Sequence, residues 1–216
     1  MKPIKQSRCY QILNEILNAS THGIGLGLSI VGFVFLLLKG MKLPPIYIIA
    51  YTLYGSTMIL LFLSSTLFHS LIFTKAKKVF QVFDHSAIFL LIAGSYTPYC
   101  LLGIKETLGI TLLVIIWTLA ILGIIYKSTT LHKKTKVSKL STILYIGMGW
   151  LCIIGVRPLY FSIGKTGILL LFAGGLSYTF GAIFYSIKNV KFMHVLWHFF
   201  VILGSGFMYF SILFTT

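Results

Sequence analysis

Seven long apolar runs, at about 22–38, 46–69, 84–103, 108–126, 140–156, 166–187 and 193–214, dominate this chain of 216 residues. An α-helix rises about 1.5 Å per residue, so about 20 residues cross a hydrocarbon core about 30 Å thick. Each run is that long or nearly so, and the connections between runs are short. A lipid-facing barrel would instead alternate polar and apolar residues along strands of about 10 residues. The stretch Leu112-Leu113-Val114-Ile115-Ile116 has no such alternation. The runs therefore predict an all-α, polytopic membrane protein with seven transmembrane helices, forming one domain over residues 1–216. Composition agrees, since only 10% of residues are charged, against about a quarter in a soluble domain.

The formal net charge is +15, from 18 basic and 3 acidic residues. On a soluble protein this would point to nucleic acid. Here the lysines sit in short clusters between apolar runs, so they read as topology signals and lipid-headgroup contacts, and no nucleic-acid partner is expected. Seven crossings place Lys2, Lys5 and Arg8 on the same side as Lys75, Lys77 and Lys78. Lys127, Lys133, Lys134, Lys136, Lys139, Lys188 and Lys191 join them there. Lys39, Lys42, Lys105, Arg157 and Lys165 fall on the other side. Thirteen against five puts the N-terminus in the cytoplasm and the C-terminus outside.

Other motifs exclude more than they assert. Cys9, Cys100 and Cys152 are far apart and form no CxxC, so no disulfide framework is expected. Glu15 and Asn18 interrupt the place where a cleavable signal would keep its apolar core. Glycines recur at 23, 25 and 27, at 147 and 149, at 174 and 175, and at 204 and 206. None follows a soluble strand, so none reads as a phosphate-binding loop. They either let membrane helices pack closely or are simply glycines that such helices tolerate.

Ionisable groups inside a membrane are costly and mark functional sites by default. Asp84 opens the third run, Glu15 lies just before the first, and five of the six histidines (His22, His69, His85, His194 and His198) lie in or at the ends of runs. His132 falls in the lysine-rich loop and reads as solvated. With the N-terminus inside, His69 ends its span near the cytoplasmic face, while His22, Asp84, His85, His194 and His198 begin theirs there. Residues remote in sequence thus converge on one membrane level. His194 and His198, like Ser65 and His69, are four apart and share a helix face. Three imidazoles, His69, His194 and His198, could hold one zinc ion and leave a fourth position open. Such a metal activates water and polarises a carbonyl. Asp84 would hold or deprotonate that water, and Ser65 would orient it or hydrogen-bond a ligand histidine. Neutral histidines without a clear carboxylate ligand favour zinc, although such sites also take other divalent metals.

These residues also carry a resemblance. Glu15-x-x-Asn18-x-x-Thr21-His22-Gly23, Ser65-x-x-x-His69, Asp84-His85 and His194-x-x-x-His198, in that order, resemble the haemolysin III family. That family is related to the progestin and adiponectin receptor proteins and, more distantly, to the alkaline ceramidases. The resemblance covers almost the whole chain and implies a multi-pass protein of the bacterial inner membrane with a cytoplasmic-side zinc. The matching ligands are His69, His194 and His198, with Ser65 and Asp84 as water-contacting neighbours and Glu15, Asn18, His22 and His85 as supporting polar residues. It also implies a metal-dependent hydrolase of a membrane-lipid amide or ester. Two alternatives stay open: a non-enzymatic membrane sensor or regulator with a structural zinc, and a pore-forming haemolysin. A pore would need a polar lumen, and the outer halves of these spans offer almost no charge to line one. Membrane lipids are the expected partners, and no oligomeric state is predicted.

Overall fold

A computed structural model of the chain describes residues 7–104, 106–133, 139–187 and 190–216. Among them there are helices and no strands. Helix α1 is Arg8–Gly40, α2 Pro45–Ser70, α3 Lys77–Pro98, α4 Glu106–Lys133, α5 Lys139–Trp150, α6 Val156–Ser186 and α7 Met193–Thr215. A π-helical turn, Tyr99–Ile104, extends α3, and a 3₁₀ turn, Leu151–Gly155, joins α5 to α6. Six stretches are long and apolar enough to cross a membrane. Five correspond to single runs, and the sixth, Leu140–Ser186, contains two. Inside that stretch Gly164 has φ 68° and ψ −179°, a conformation essentially confined to glycine, so the helical path breaks there.

Local chemistry explains the ends. The Ser7 hydroxyl accepts the Tyr10 N–H at 3.2 Å and caps α1. Pro45 opens α2, where its missing N–H is no loss. Pro98 lies at the junction of α3 with the wider π turn, a place where a helix can absorb the missing hydrogen bond.

Several helices outrun their apolar segments, because caps and breakers end a helix while polarity alone does not. Helix α1 begins at Arg8, so Glu15 and Asn18 are helical rather than preceding the span. Helix α3 begins at Lys77, which puts Asp84 two turns inside it. Lys127, expected in a loop, lies within α4 and is 1% exposed, its ammonium 6.0 Å from the centre of the Tyr145 ring. The run expected to close at 156 continues to the break at Gly164, which makes Arg157 helical. Lys2, Lys5, Lys105, Lys134, Lys136 and Lys188 lie outside the described residues, as do the side chains of His132, Lys133 and Lys139.

Side-chain distribution is that of a bundle in lipid. On α1, Ile24, Leu28, Val31, Phe35 and Leu38 are exposed, while Gly25, Ser29, Gly32, Leu36 and Gly40 are buried. The large apolar residues thus face outward and mostly small ones face the neighbouring helices, the reverse of a soluble helix. A Cβ on Gly25 would lie 2.6 Å from the Phe62 ring, and one on Gly204 would lie 2.9 Å from Tyr178. Gly27, Gly147, Gly149 and Gly206 have no such neighbour and are tolerated rather than required. The most extensive packing joins α6 to α7, α1 to α2 and α2 to α3. Contact between α1 and α7 brings the first and last helices together beside α2.

Candidate metal centre

The first requirement is that α7 start in the right place. Its N-cap, Phe192, has a left-handed φ of 61°, an unfavourable conformation for a bulky residue. The Phe192 N–H donates to the Tyr10 hydroxyl at 3.1 Å, and the two rings meet edge to face at 5.1 Å. The foot of α1 thereby pins the entry of α7, whose first turns carry His194 and His198.

These two imidazoles meet His69 from α2. One ligating nitrogen from each ring lies within 4.8 Å of the others. His69 Nε2 and His194 Nε2 are 3.2 Å apart, and the ring centres are 4.6–5.0 Å apart. His69 and His198 are buried and His194 half-buried.

The remaining nitrogens fix the tautomers. His69 Nδ1 lies 2.6 Å from Glu15 Oε2. A carboxylate accepts, so Nδ1 carries the proton and Nε2 keeps its lone pair toward His194. His198 Nδ1 lies 3.2 Å from the Asn18 carbonyl and 3.2 Å from Thr21 Oγ1. Its proton goes to the carbonyl, which again leaves Nε2 free. A tetrahedral ion with bonds of about 2.0 Å separates its nitrogen ligands by about 3.3 Å, close to the His69–His194 spacing. The donor set and its orientation therefore fit a divalent ion, and histidine donors suit zinc among others.

Around this group, His22 stacks flat on His198, with centres 3.5 Å apart and planes 13° apart. The Phe62 and His22 rings meet at right angles with centres 5.1 Å apart. His85 Nδ1 donates to the Gln81 carbonyl at 2.8 Å and lies 3.5 Å from Asp84 Oδ2. The Tyr145 hydroxyl donates to the His85 carbonyl at 3.0 Å, tying α5 to this end of α3.

A cavity of about 130 Å³, partly open to the exterior, runs from this end into the bundle. Its wall is almost wholly apolar, with His22, Ser65, Asp84, His85, His194 and His198 gathered at the metal-site end. On α3 the lining continues from Asp84 through Ile88 and Ile92 to Tyr99, about 22 Å along the helix.

Residues 10–209 match the family described as haemolysin-III related. The chain belongs to the haemolysin III family. A hemolysin-3 homolog of Bacillus subtilis (strain 168) is 48% identical over 206 residues, covering 95% of each chain. Hemolysin-3 of Bacillus cereus is 47% identical over 212 residues, 97% of this chain and 95% of that one. The human monocyte to macrophage differentiation factor is 31% identical over 167 residues, covering 74% of this chain and 67% of that protein. This haemolysin III family member is accordingly a multi-pass bacterial membrane protein.

In this haemolysin III chain the sequence motifs assemble as one unit. His69, His194 and His198 form the three-histidine group. Glu15 and Asn18 hold two of those rings from behind. His22, His85, Ser65 and Asp84 line the adjoining cavity. Sequence reasoning assigned no task to Thr21, which sits inside the first motif and contacts His198. It also missed the Tyr10–Phe192 anchor, for which a left-handed aromatic residue leaves no pattern in sequence.

Proposed function

We propose that this family member is a zinc-dependent hydrolase of a membrane-lipid amide or ester, working at the cytoplasmic side of the bilayer. One observation carries the reading: two of the three grouped histidines, His194 and His198, line a long apolar cavity together with Asp84 and Ser65. An apolar channel ending in a few polar groups suits an acyl chain with its carbonyl at the polar end. It does not suit a water-filled lumen.

His69, His194 and His198 would hold the ion, with Glu15 and the Asn18 carbonyl fixing two of them. When bound, a divalent ion there supplies Lewis acidity toward water and carbonyl oxygen. Asp84 is the carboxylate available to take a proton from the attacking water and return it to the leaving group. Ser65, one turn before His69 on the same face, offers its hydroxyl to the water or the carbonyl. The cavity wall excludes bulk water from the acyl chain.

The same reading includes seven crossings, with the N-terminus in the cytoplasm and the C-terminus outside. The 47 residues of Leu140–Ser186 would extend about 70 Å as one helix, more than twice a hydrocarbon core. The break at Gly164 supports two passes, and the thirteen-to-five division of basic residues supports the direction.

Purified protein should contain one zinc per chain and release fatty acid from one member of a membrane-lipid panel followed by mass spectrometry. Chelation and His194→Ala should each stop the release. Fully loaded protein that releases nothing from amides or esters would defeat the hydrolase reading.

A further inference from the structure

We propose that His22, Ser65 and Asn18 form a polar subsite beside the metal centre that takes an uncharged, hydroxyl-bearing group of the bound lipid. The inference rests on the lipid-hydrolase reading only in placing a lipid in the cavity. His22 is 3% exposed, Ser65 1% and Asn18 0%. Both ring nitrogens of His22, the Ser65 hydroxyl and both side-chain polar atoms of Asn18 lack a hydrogen-bond partner. Five buried, unpaired polar atoms are unfavourable unless something polar meets them.

Their setting leaves them little freedom to pair elsewhere. The His22 ring stacks on His198 and stands perpendicular to the Phe62 ring. Phe62 is seated against Gly25, where a Cβ would not fit. His22 and Ser65 both line the cavity, and Asn18 lies one turn from His22 on the same face of α1. A neutral imidazole has one donor and one acceptor, while a serine hydroxyl and a carboxamide have both. That set matches a hydroxyl, which also gives and takes a hydrogen bond.

Charge selects against a phosphate in the same place. No lysine or arginine among the described residues lines the cavity, whereas Asp84 does and Glu15 backs His69. Two carboxylates offset one divalent ion, and the buried Lys127, 6.0 Å from the Tyr145 ring, is not a lining residue, so no lining cation remains to pair an anionic headgroup. The subsite thus points to glycerol- or amino-alcohol-type lipids rather than phospholipids.

The test uses non-hydrolysable probes, so that binding is read apart from turnover. Three ether lipids share one brominated chain and end in glycerol, in methyl ether or in glycerol phosphate. Trp150 and Trp197 line the cavity, and their quenching in the full-length, metal-loaded protein reports occupancy. The glycerol ether should bind about tenfold or more tighter than the methyl ether, and tighter than the phosphate form. His22→Phe, which keeps the stacked ring, and Ser65→Ala should each shrink that preference without loss of metal. Equal affinity for the glycerol and methyl ethers in the unmodified protein would overturn the proposal, whatever the variants do. So would tightest binding of the phosphate form, or a preference that survives both substitutions. Preference without release from the corresponding esters and amides would sink the hydrolase reading and leave the subsite standing.

Discussion

Glu15 offers the sharpest perturbation, because it acts on the metal centre without being a ligand. Its Oε2 lies 2.6 Å from His69 Nδ1, with the two side chains 19% and 3% exposed. Partners of this kind are typically worth about 10–100-fold in metal affinity, or about 1.4–2.7 kcal/mol. Water can reach Glu15 and partly replace it, so Glu15→Ala should fall near the lower end, about tenfold. Glu15→Gln should be no better despite its matching shape. A glutamine amide can donate to Nδ1, and the imidazole proton would then move to Nε2, the atom that faces His194 at 3.2 Å. Competition against a chromophoric zinc chelator, with purified protein in detergent, measures both variants. His194→Ala sets the other end of the scale, since it removes a ligand and should abolish stoichiometric zinc. Wild-type affinity in Glu15→Gln would refute the tautomer argument. A loss in Glu15→Ala as large as in His194→Ala would show that the carboxylate binds the ion directly.

Three further outcomes are expected. Gly204→Ala places a Cβ 2.9 Å from the Tyr178 ring, whose hydroxyl is held by Ser205 at 2.8 Å. It should cost about 1–3 kcal/mol, while Gly206→Ala, with open space around it, should change stability by less than about 0.5 kcal/mol; thermal unfolding in detergent that ranked them the other way would contradict the α6–α7 packing. Tyr10→Phe removes the acceptor of the Phe192 N–H and should cost about 0.5–1.5 kcal/mol with a several-fold faster loss of zinc to chelator; no change in either would mean that α7 is positioned by other contacts. Cys9 is exposed at the start of α1, so in a variant lacking Cys100 and Cys152 a membrane-impermeant maleimide should label it in inverted vesicles and not on intact cells. Labelling of intact cells would reverse the proposed orientation.

The bundle was legible because lipid demands long apolar helices, and nothing in the soluble repertoire produces such runs. The three-histidine group was legible through its four-residue spacing and its common membrane level. The role of Glu15 was not. Hydropathy ends a span where polarity begins, whereas the backbone of α1 continues from its Ser7 cap straight through Glu15. Lys127 escaped for the same reason: its aliphatic stem lets it stay in α4 beneath Tyr145 while its charge reads as a loop. The break at Gly164 falls inside the expected connection, 157–165, and neither Gly155 nor Pro158 ends the helical path before it. A 3₁₀ turn absorbs the first, and proline is tolerated in the opening turn of α6. The break itself depends on a backbone angle that glycine permits and composition does not reveal.

The contact between the first and last helices also orders events in time. When α1 and α2 have left the ribosome they supply Glu15, the Asn18 carbonyl and a single imidazole, His69. The other two imidazoles arrive only with α7, Met193–Thr215, and His198 finds its orienting Asn18 carbonyl already waiting on α1. A nascent chain stalled before residue 193 therefore offers one-third of the donor set and gains nothing from zinc. Under the proposed function, metal capture would follow completed membrane insertion, because only the full set of helices presents all three imidazoles.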